Sequence, residues 1–322
     1  MACQLKDNFG RVHNYLRISL TDKCNLRCGY CIPEDNCSLP QSKLMKAIEI
    51  LKLAEIFVHE FGISKIRFTG GEPLVRSDAA KIMESISRLP VELAVTTNGV
   101  LLDKFLPFFR KIGLTSVNIS LDSLIPERFE QITKRPLFRI IKNNIDLAVR
   151  DGFKVKVNMV VMKDVNENEV IDFAEWTLNN PIQVRFIEFM PFIGNNWEWD
   201  KVISCSELKE KINKCYPLIK IVDKQNTTSK SYFIKGARGT LAFINTVTEP
   251  FCESCNRIRL TADGKLQNCL FARSEVDLLS ALRKGNDIYD LIISGIMSKQ
   301  LVQGGKSPCE KVTEKTMVSI GG

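Results

Sequence analysis

The chain has 322 residues, 44% hydrophobic and 25% charged, with a formal net charge of +8. That length suits one large domain with a small one, or a barrel with an extension, and no run comes near the roughly eighteen apolar residues of a membrane span. The basic excess is modest and forms no long block, so it favours anionic small molecules as readily as nucleic acid.

The N-terminal run MACQLKDNFGR has no apolar core, so no export signal is expected. Short β-type runs then alternate with longer amphipathic segments. LRISL (16–20) leads through a cysteine-rich loop into KLMKAIEILKLAEIFVHEFG, and KIRFTGG (65–71) leads into SDAAKIMESISRL. Ser77 and Asp78 stand where that second helix is expected to start. ELAVTTNG (92–99) precedes LLDKFLPFFRKIG, and SVNISLD (116–122) precedes a longer connection and FRIIKNNIDLAVRDG. KVKVNMVVM (154–162) precedes NENEVIDFAEWTLN, and PIQVRFIEFMP (181–191) closes the series. Gly62, Gly113 and Gly152 fall where helices are expected to end. Six such alternations predict a parallel sheet with right-handed crossovers. The pattern alone fits a doubly wound sheet or an incomplete barrel. In either, functional groups belong at the C-terminal ends of the strands. After residue 192 the rhythm changes to a loop, a short helix (SELKEKINK) and short strands (LIKIVD, SYFIKG, TLAFIN).

The chemistry sits in two cysteine sets. Cys24, Cys28 and Cys31 form C-x3-C-x2-C in CNLRCGYC, with no fourth cysteine in step. A cubane iron–sulfur cluster takes four ligands, so three thiolates leave one iron open for chemistry. A zinc knuckle is the bland alternative, but it wants a fourth ligand, and the chain has only two histidines, His13 and His59. Cys252, Cys255 and Cys269 form a second set in PFCESCNRIRLTADGKLQNCLF. It reads as a second open cluster, or as a zinc ribbon completed by Cys309, Cys215 or Cys205. With eleven cysteines and no export signal, the expectation is a reducing cytoplasm and metal-bound thiolates. Cations recur in or beside the strand-like runs: Arg17, Arg67, Lys156 and Arg185, with Arg257 and Arg259 alternating in NRIRL. Cations inside a barrel are costly unless paired, so they suit a polyanion such as a triphosphate, or else pair with Glu72, Glu188 or Asp122.

C-x3-C-x2-C resembles the signature of the radical S-adenosylmethionine (SAM) superfamily. With FGRVHNYLRISLTDKCNLRCGYC, KIRFTGGEPLVR, the second cysteine run and the terminal IGG, nearly the whole chain is similar to the GTP 3′,8-cyclase family of molybdenum cofactor biosynthesis. The resemblance implies an incomplete (β/α)6 TIM-like barrel over 1–192. It implies a C-terminal α+β extension over 193–322 that covers the opening and ends in a Gly-Gly tail. It implies two 4Fe–4S clusters, on Cys24, Cys28 and Cys31 and on Cys252, Cys255 and Cys269, the second holding the guanine ring. SAM contacts fall on Tyr30 (against the adenine), Gly71, Glu72, Ser120 and Met190. GTP contacts fall on Arg17, Arg67, Thr96, Lys156, Arg185, Arg257 and Arg259. Gly321 and Gly322 enter the active site beside a substrate arginine, and with Arg17 they make up the catalytic set. Ile32 and Lys315 depart from the family pattern, and 303–315 matches it weakly. Cyclic pyranopterin monophosphate synthase is the implied downstream enzyme. An electron donor is required, a homodimer is allowed, and neither nucleic acid nor membrane is an expected partner. A peptide-modifying radical SAM enzyme is the rival activity, and a zinc-stabilised nucleic-acid module is the rival class.

Overall fold

A computed structural model describes residues 3–31, 38–223, 226–272, 275–305 and 315–321. Gly322, Ile32, Cys37, Cys309 and most of 303–315 lie outside the described residues. The six expected units are present. The strands are β1 (Tyr15–Ser19), β2 (Lys65–Thr69), β3 (Glu92–Thr97), β4 (Ser116–Ser120), β5 (Lys154–Val161) and β6 (Gln183–Glu188). The helices are α1 (Ala47–His59), α2 (Ala79–Ile86), α3 (Leu102–Lys111), α4 (Pro126–Thr133), α5 (Phe138–Arg150) and α6 (Val170–Asn179). The longer connection after SVNISLD is α4. Gly62, Gly113 and Gly152 each follow a helix with φ of 68°, 72° and 78°, a region that favours glycine. Asp78 does hold the residue before α2, but its side chain does not cap the helix. The carboxylate bonds Arg76 Nε at 2.6 Å instead.

Period decides which face each element buries. On α1 the buried residues are Ile50, Leu53, Ala54, Phe57 and Val58, a stripe at i, i+3, i+4, i+7 and i+8. Strand residues alternate in the same service. Val155, Val157, Met159 and Val161 of β5 are buried in the apolar core, while Lys154, Lys156, Asn158 and Val160 line the interior cavity. The core is therefore the shell between sheet and helices, and the inner face of the sheet is left polar.

The C-terminal region contributes α7 (Cys205–Cys215), β7 (Leu218–Lys220), β8 (Lys230–Ile234), β9 (Thr240–Ile244), β10 (Arg257–Leu260), β11 (Lys265–Gln267), β12 (Val276–Asp277), α8 (Leu278–Arg283) and α9 (Tyr289–Met297). α7 opens on a reciprocal cap: Ser204 Oγ accepts from Glu207 N, and Glu207 Oε2 accepts from Ser204 N. The boundary expected at residue 192 is not a break in the sheet. One twelve-stranded sheet runs β12-β11-β10-β1-β2-β3-β4-β5-β6-β9-β8-β7. β10 joins β1 in parallel, and β9 joins β6 in parallel. The outer edges of β1 and β6 would otherwise expose unpaired backbone groups, and the C-terminal region satisfies both. Residues from β1 through β6, β9 and β10 all line one cavity, which requires the sheet to curl into an open-sided partial barrel. No helix among the described residues is long and apolar enough to cross a membrane.

Candidate active site

The cavity measures about 920 Å³ and runs along the barrel interior. Cys24, Cys28 and Cys31 lie at its upper end, on the loop that leaves β1. Gly70 and Gly71 follow β2 beside them. A Cβ on Gly70 would sit 2.5 Å from Thr21 O, and one on Gly71 would sit 2.6 Å from Lys23 O. The glycine pair thus lets two loops touch backbone to backbone, sealed by Gly71 N donating to Thr21 O at 2.7 Å. The close approach is to the chain itself; Gly71 also reaches the cavity wall.

Glu72 is only 1% exposed and is not part of the cavity lining. Its oxygens accept from Leu74 N, Thr97 Oγ1 and Asn98 N, tying the loop after β2 to the loop after β3. Burial pushes its carboxyl up to about 7 against those hydrogen bonds. Tyr30 lines the cavity, and its hydroxyl donates to Asp122 Oδ2 at 2.7 Å. Asp122 also accepts from Val160 N, and burial pushes its carboxyl up to about 6. Ser120 and Met190 complete the upper wall.

Below this end the inner face carries cations in register. Arg17 stands opposite Arg67 on one side and Arg259 on the other. Arg67 donates to Tyr15 Oη, Val95 O and Thr96 Oγ1. Arg185 donates to Gln183 Oε1 at 3.1 Å, while Arg17 Nε is buried with no partner. None of the three carboxylates available in sequence pairs with them. Glu72 and Asp122 are engaged as above, and Glu188 accepts from Cys205 N, Val247 N and Thr248. Burial and mutual repulsion therefore dominate, offset only in part by Glu92 at Lys156 and by Tyr15 at Arg17 and Arg185. Burial, then Arg185, Arg67 and Lys65, lower Lys156 to about 7. Burial first, then Arg257, lowers Arg259 to about 10, and burial, then Arg259, lowers Arg17 well below its ordinary value. A bound polyanion would restore the charged state of Lys156, so its contribution to anion affinity must fall as pH rises through about 7. The ratio of triphosphate affinities between wild type and Lys156→Met is expected to shrink by about tenfold between about pH 6 and pH 8.5. A ratio constant over that range would refute a titrating Lys156.

The second cysteine set lines the same cavity, just before β10 and after β11. N–H groups converge on its sulfurs. Gln303 N donates to Cys252 Sγ at 3.4 Å, and both Arg257 Nη2 and Lys299 Nζ reach Cys255 Sγ at 3.5 Å. Burial alone would raise the Cys255 thiol, but Arg257 and Lys299 pull it down to about 6. At the first set, Leu26 N and Asn98 Nδ2 approach Cys24 Sγ, and burial holds Cys24 up at about 11. Burial also raises Cys28 and Cys31. Such thiols ionise when a metal supplies the countercharge, and all-sulfur donors backed by N–H groups fit iron–sulfur ligation. Among the described residues no three His, Cys, Asp or Glu side chains are grouped as a single metal ion requires.

The tail returns to the cavity. Arg259 Nη1 approaches Ile320 O and Gly321 O, each at 3.4 Å. Gly321 has φ +82°, and a Cβ on it would lie 2.8 Å from Ser19 Cβ and 3.0 Å from Thr69 Oγ1. The tail end is therefore wedged against the upper ends of β1 and β2.

Several contributors escaped the sequence reading. Tyr15, Lys65, Asn118 and Asn158 line the cavity. Strand alternation, which puts Tyr15 with Arg17 and Lys65 with Arg67 on the inner face, could have marked them. Arg11 has no such signal. It donates to Cys252 O, Leu301 O and Gln300 O, and is itself held by Asp7, which also bonds His13. Burial lowers His13 to about 4, so its ring is neutral within this network.

Comparison with known proteins agrees with this geometry. Residues 18–177 match the Radical SAM superfamily profile, and residues 182–303 match Molybdenum Cofactor Synthesis C. The chain is 44% identical to "GTP 3′,8-cyclase, mitochondrial" of Arabidopsis thaliana, over 99% of this chain and 83% of that protein. It is 43% identical to "GTP 3′,8-cyclase" of Thermodesulfovibrio yellowstonii, over 99% of this chain and all of that protein. Against "Molybdenum cofactor biosynthesis protein 1" of Homo sapiens the identity is 44%, but the chain spans only 51% of that protein, about half its length. Among solved structures, SuiB of Streptococcus suis bound to S-adenosylmethionine superposes with a TM-score of 0.60 at 16% identity, over 90% of this chain and 69% of that one. That last likeness concerns the fold alone. A partial barrel with a three-cysteine loop at its strand ends defines a radical SAM protein. Within that class the chain belongs to the GTP 3′,8-cyclase family.

Proposed function

We propose that this chain is a radical SAM GTP 3′,8-cyclase, converting GTP to (8S)-3′,8-cyclo-7,8-dihydroguanosine 5′-triphosphate in the first step of molybdenum cofactor synthesis. The observation that carries the reading is the inward layer of Arg17, Arg67, Lys156, Arg185 and Arg259 between two three-cysteine sets, with Glu72, Asp122 and Glu188 engaged elsewhere. A triphosphate is the ligand whose charge offsets that layer.

Cys24, Cys28 and Cys31 would hold one 4Fe–4S cluster and Cys252, Cys255 and Cys269 a second. When bound, the first cluster and SAM supply the 5′-deoxyadenosyl radical that removes hydrogen from the ribose. The protein's own part is binding, orientation and exclusion of water. Tyr30, Gly71, Ser120 and Met190 form the SAM wall. Arg17, Arg67, Lys156 and Arg185, with Thr96 beside Arg67, take the phosphates. Arg257 and Arg259 link them to the second cysteine set. The reaction joins ribose C3′ to guanine C8. The hydrogen atom lost from C3′ is made up by an electron and a proton, so the product is isomeric with GTP. An external electron donor is therefore a partner. Cyclic pyranopterin monophosphate synthase is the proposed consumer, the cytoplasm the proposed compartment, and a homodimer the proposed assembly. The test is anaerobic turnover with GTP, SAM and a reductant, followed by chromatography and mass spectrometry. The expected outcome is 5′-deoxyadenosine together with a new isomer of GTP. Deoxyadenosine without any change in GTP, at full cluster loading, would refute the activity.

A further inference from the structure

Three asparagines that line the cavity are left without partners for their amide oxygens: Asn256 beside the second cysteine set, and two on the strands of the inner wall. Asn118 on β4 and Asn158 on β5 both line the cavity, and the buried Oδ1 of each accepts no hydrogen bond. Asn118 is only 5% exposed. A buried polar group in a native fold is nearly always satisfied, so the partner comes from what fills the cavity, and a ligand that displaces solvent there must replace its hydrogen bonds.

Their positions narrow the ligand. In register, Asn118 stands between Thr96 of β3 and Lys156 of β5, and Asn158 stands between Ser120 of β4 and Arg185 of β6. The two amides are thus a neutral step, level with and just above the cations and below the first cysteine set. A phosphate accepts only, and the arginines and Lys156 already supply donors for it. An amide presents one acceptor and one donor side by side, which matches a hydroxyl that both gives and takes a hydrogen bond. The sugar is the hydroxyl-bearing part of a nucleotide, and it is joined directly to the phosphates.

We propose that Asn118 and Asn158 bind the ribose hydroxyls of the nucleoside triphosphate and make the 2′-hydroxyl a condition of tight binding. The proposal rests on the GTP reading above. A site built to pair a hydroxyl rejects the analogue lacking it, because its own polar groups are then stranded.

The test is equilibrium binding to the anaerobically reconstituted protein, without reductant, of GTP, 2′-deoxy-GTP, inorganic tripolyphosphate and SAM. The wild type is expected to prefer GTP over 2′-deoxy-GTP by at least about tenfold. Asn118→Ala and Asn158→Ala are expected to bring that ratio close to unity while leaving tripolyphosphate affinity unchanged, which also reports an intact cation layer. Where an alanine variant fails to fold, Asn118→Ser or Asn158→Ser makes the same comparison. A preference that survives both substitutions overturns the proposal alone. Loss of SAM affinity with an unchanged nucleotide ratio also overturns it, and assigns the amides to the SAM ribose. A wild type that binds tripolyphosphate and not GTP fails the cyclase reading and takes this proposal with it.

Discussion

Replacing Cys24, Cys28 and Cys31 together by alanine is expected to abolish SAM cleavage and to leave about half of the bound iron. The two cysteine sets are held by separate parts of the fold. The first depends on the loop after β1, with Leu26 N and Asn98 Nδ2 near Cys24 Sγ. The second depends on Gln303, Lys299 and Arg257, and on Arg11 gripping the Cys252 carbonyl. Among the described residues no hydrogen bond of the second set passes through the first loop, so the second should load normally. Iron analysis, absorption spectra and assay of 5′-deoxyadenosine follow the outcome. A folded triple variant that holds no iron, or one that still cleaves SAM, would defeat the assignment. The complementary triple variant at Cys252, Cys255 and Cys269 should retain about half of the iron. It should also retain uncoupled SAM cleavage while losing GTP conversion.

Gly321→Val is expected to remove GTP cyclisation, by at least about a hundredfold, without lowering the melting temperature or the iron content. The left-handed φ of +82° disfavours any β-branched residue there. Even the first added carbon would press on Ser19 Cβ and Thr69 Oγ1 at the top of β1 and β2. The tail must then leave its groove, and Arg259 loses the carbonyls of Ile320 and Gly321. Val318 and Ile320 are buried, Ile320 with Phe192 and Phe271, and they anchor the base of the tail, so the displacement is expected to stay at its last residues and global stability should not register the change. Some uncoupled deoxyadenosine formation should persist, because the first cysteine set is untouched. Full cyclase activity in the variant, or a fall in melting temperature that accounts for the loss, would return the tail to a packing role.

The strands of the barrel were legible because each declares itself locally. An alternation such as KVKVNMVV fixes which residues face the core whatever the partner strand is. The cysteine sets were legible by spacing, and the cations by their positions on those same strands. The partners of Glu72 within the fold were not legible. Its carboxylate is consumed by Thr97 and Asn98, which are remote in sequence and adjacent only because β2 and β3 pair.

By itself, then, the sequence determined six parallel strand–helix units, the two thiol sets and the placing of the cations on or beside the strands, since periodicity and spacing are properties of a few neighbouring residues. The tertiary structure alone decided that β9 and β10 extend the two edges of that sheet, and that Arg259 comes to stand beside Arg17. It alone showed that Arg11 holds the Cys252 loop and that Glu188 and Asp122 bond elsewhere than to the cation layer. Backbone pairing is chemically the same for every strand. Which edge a distant strand completes, and in what register, is therefore set by the packing of the whole chain rather than by any local signal.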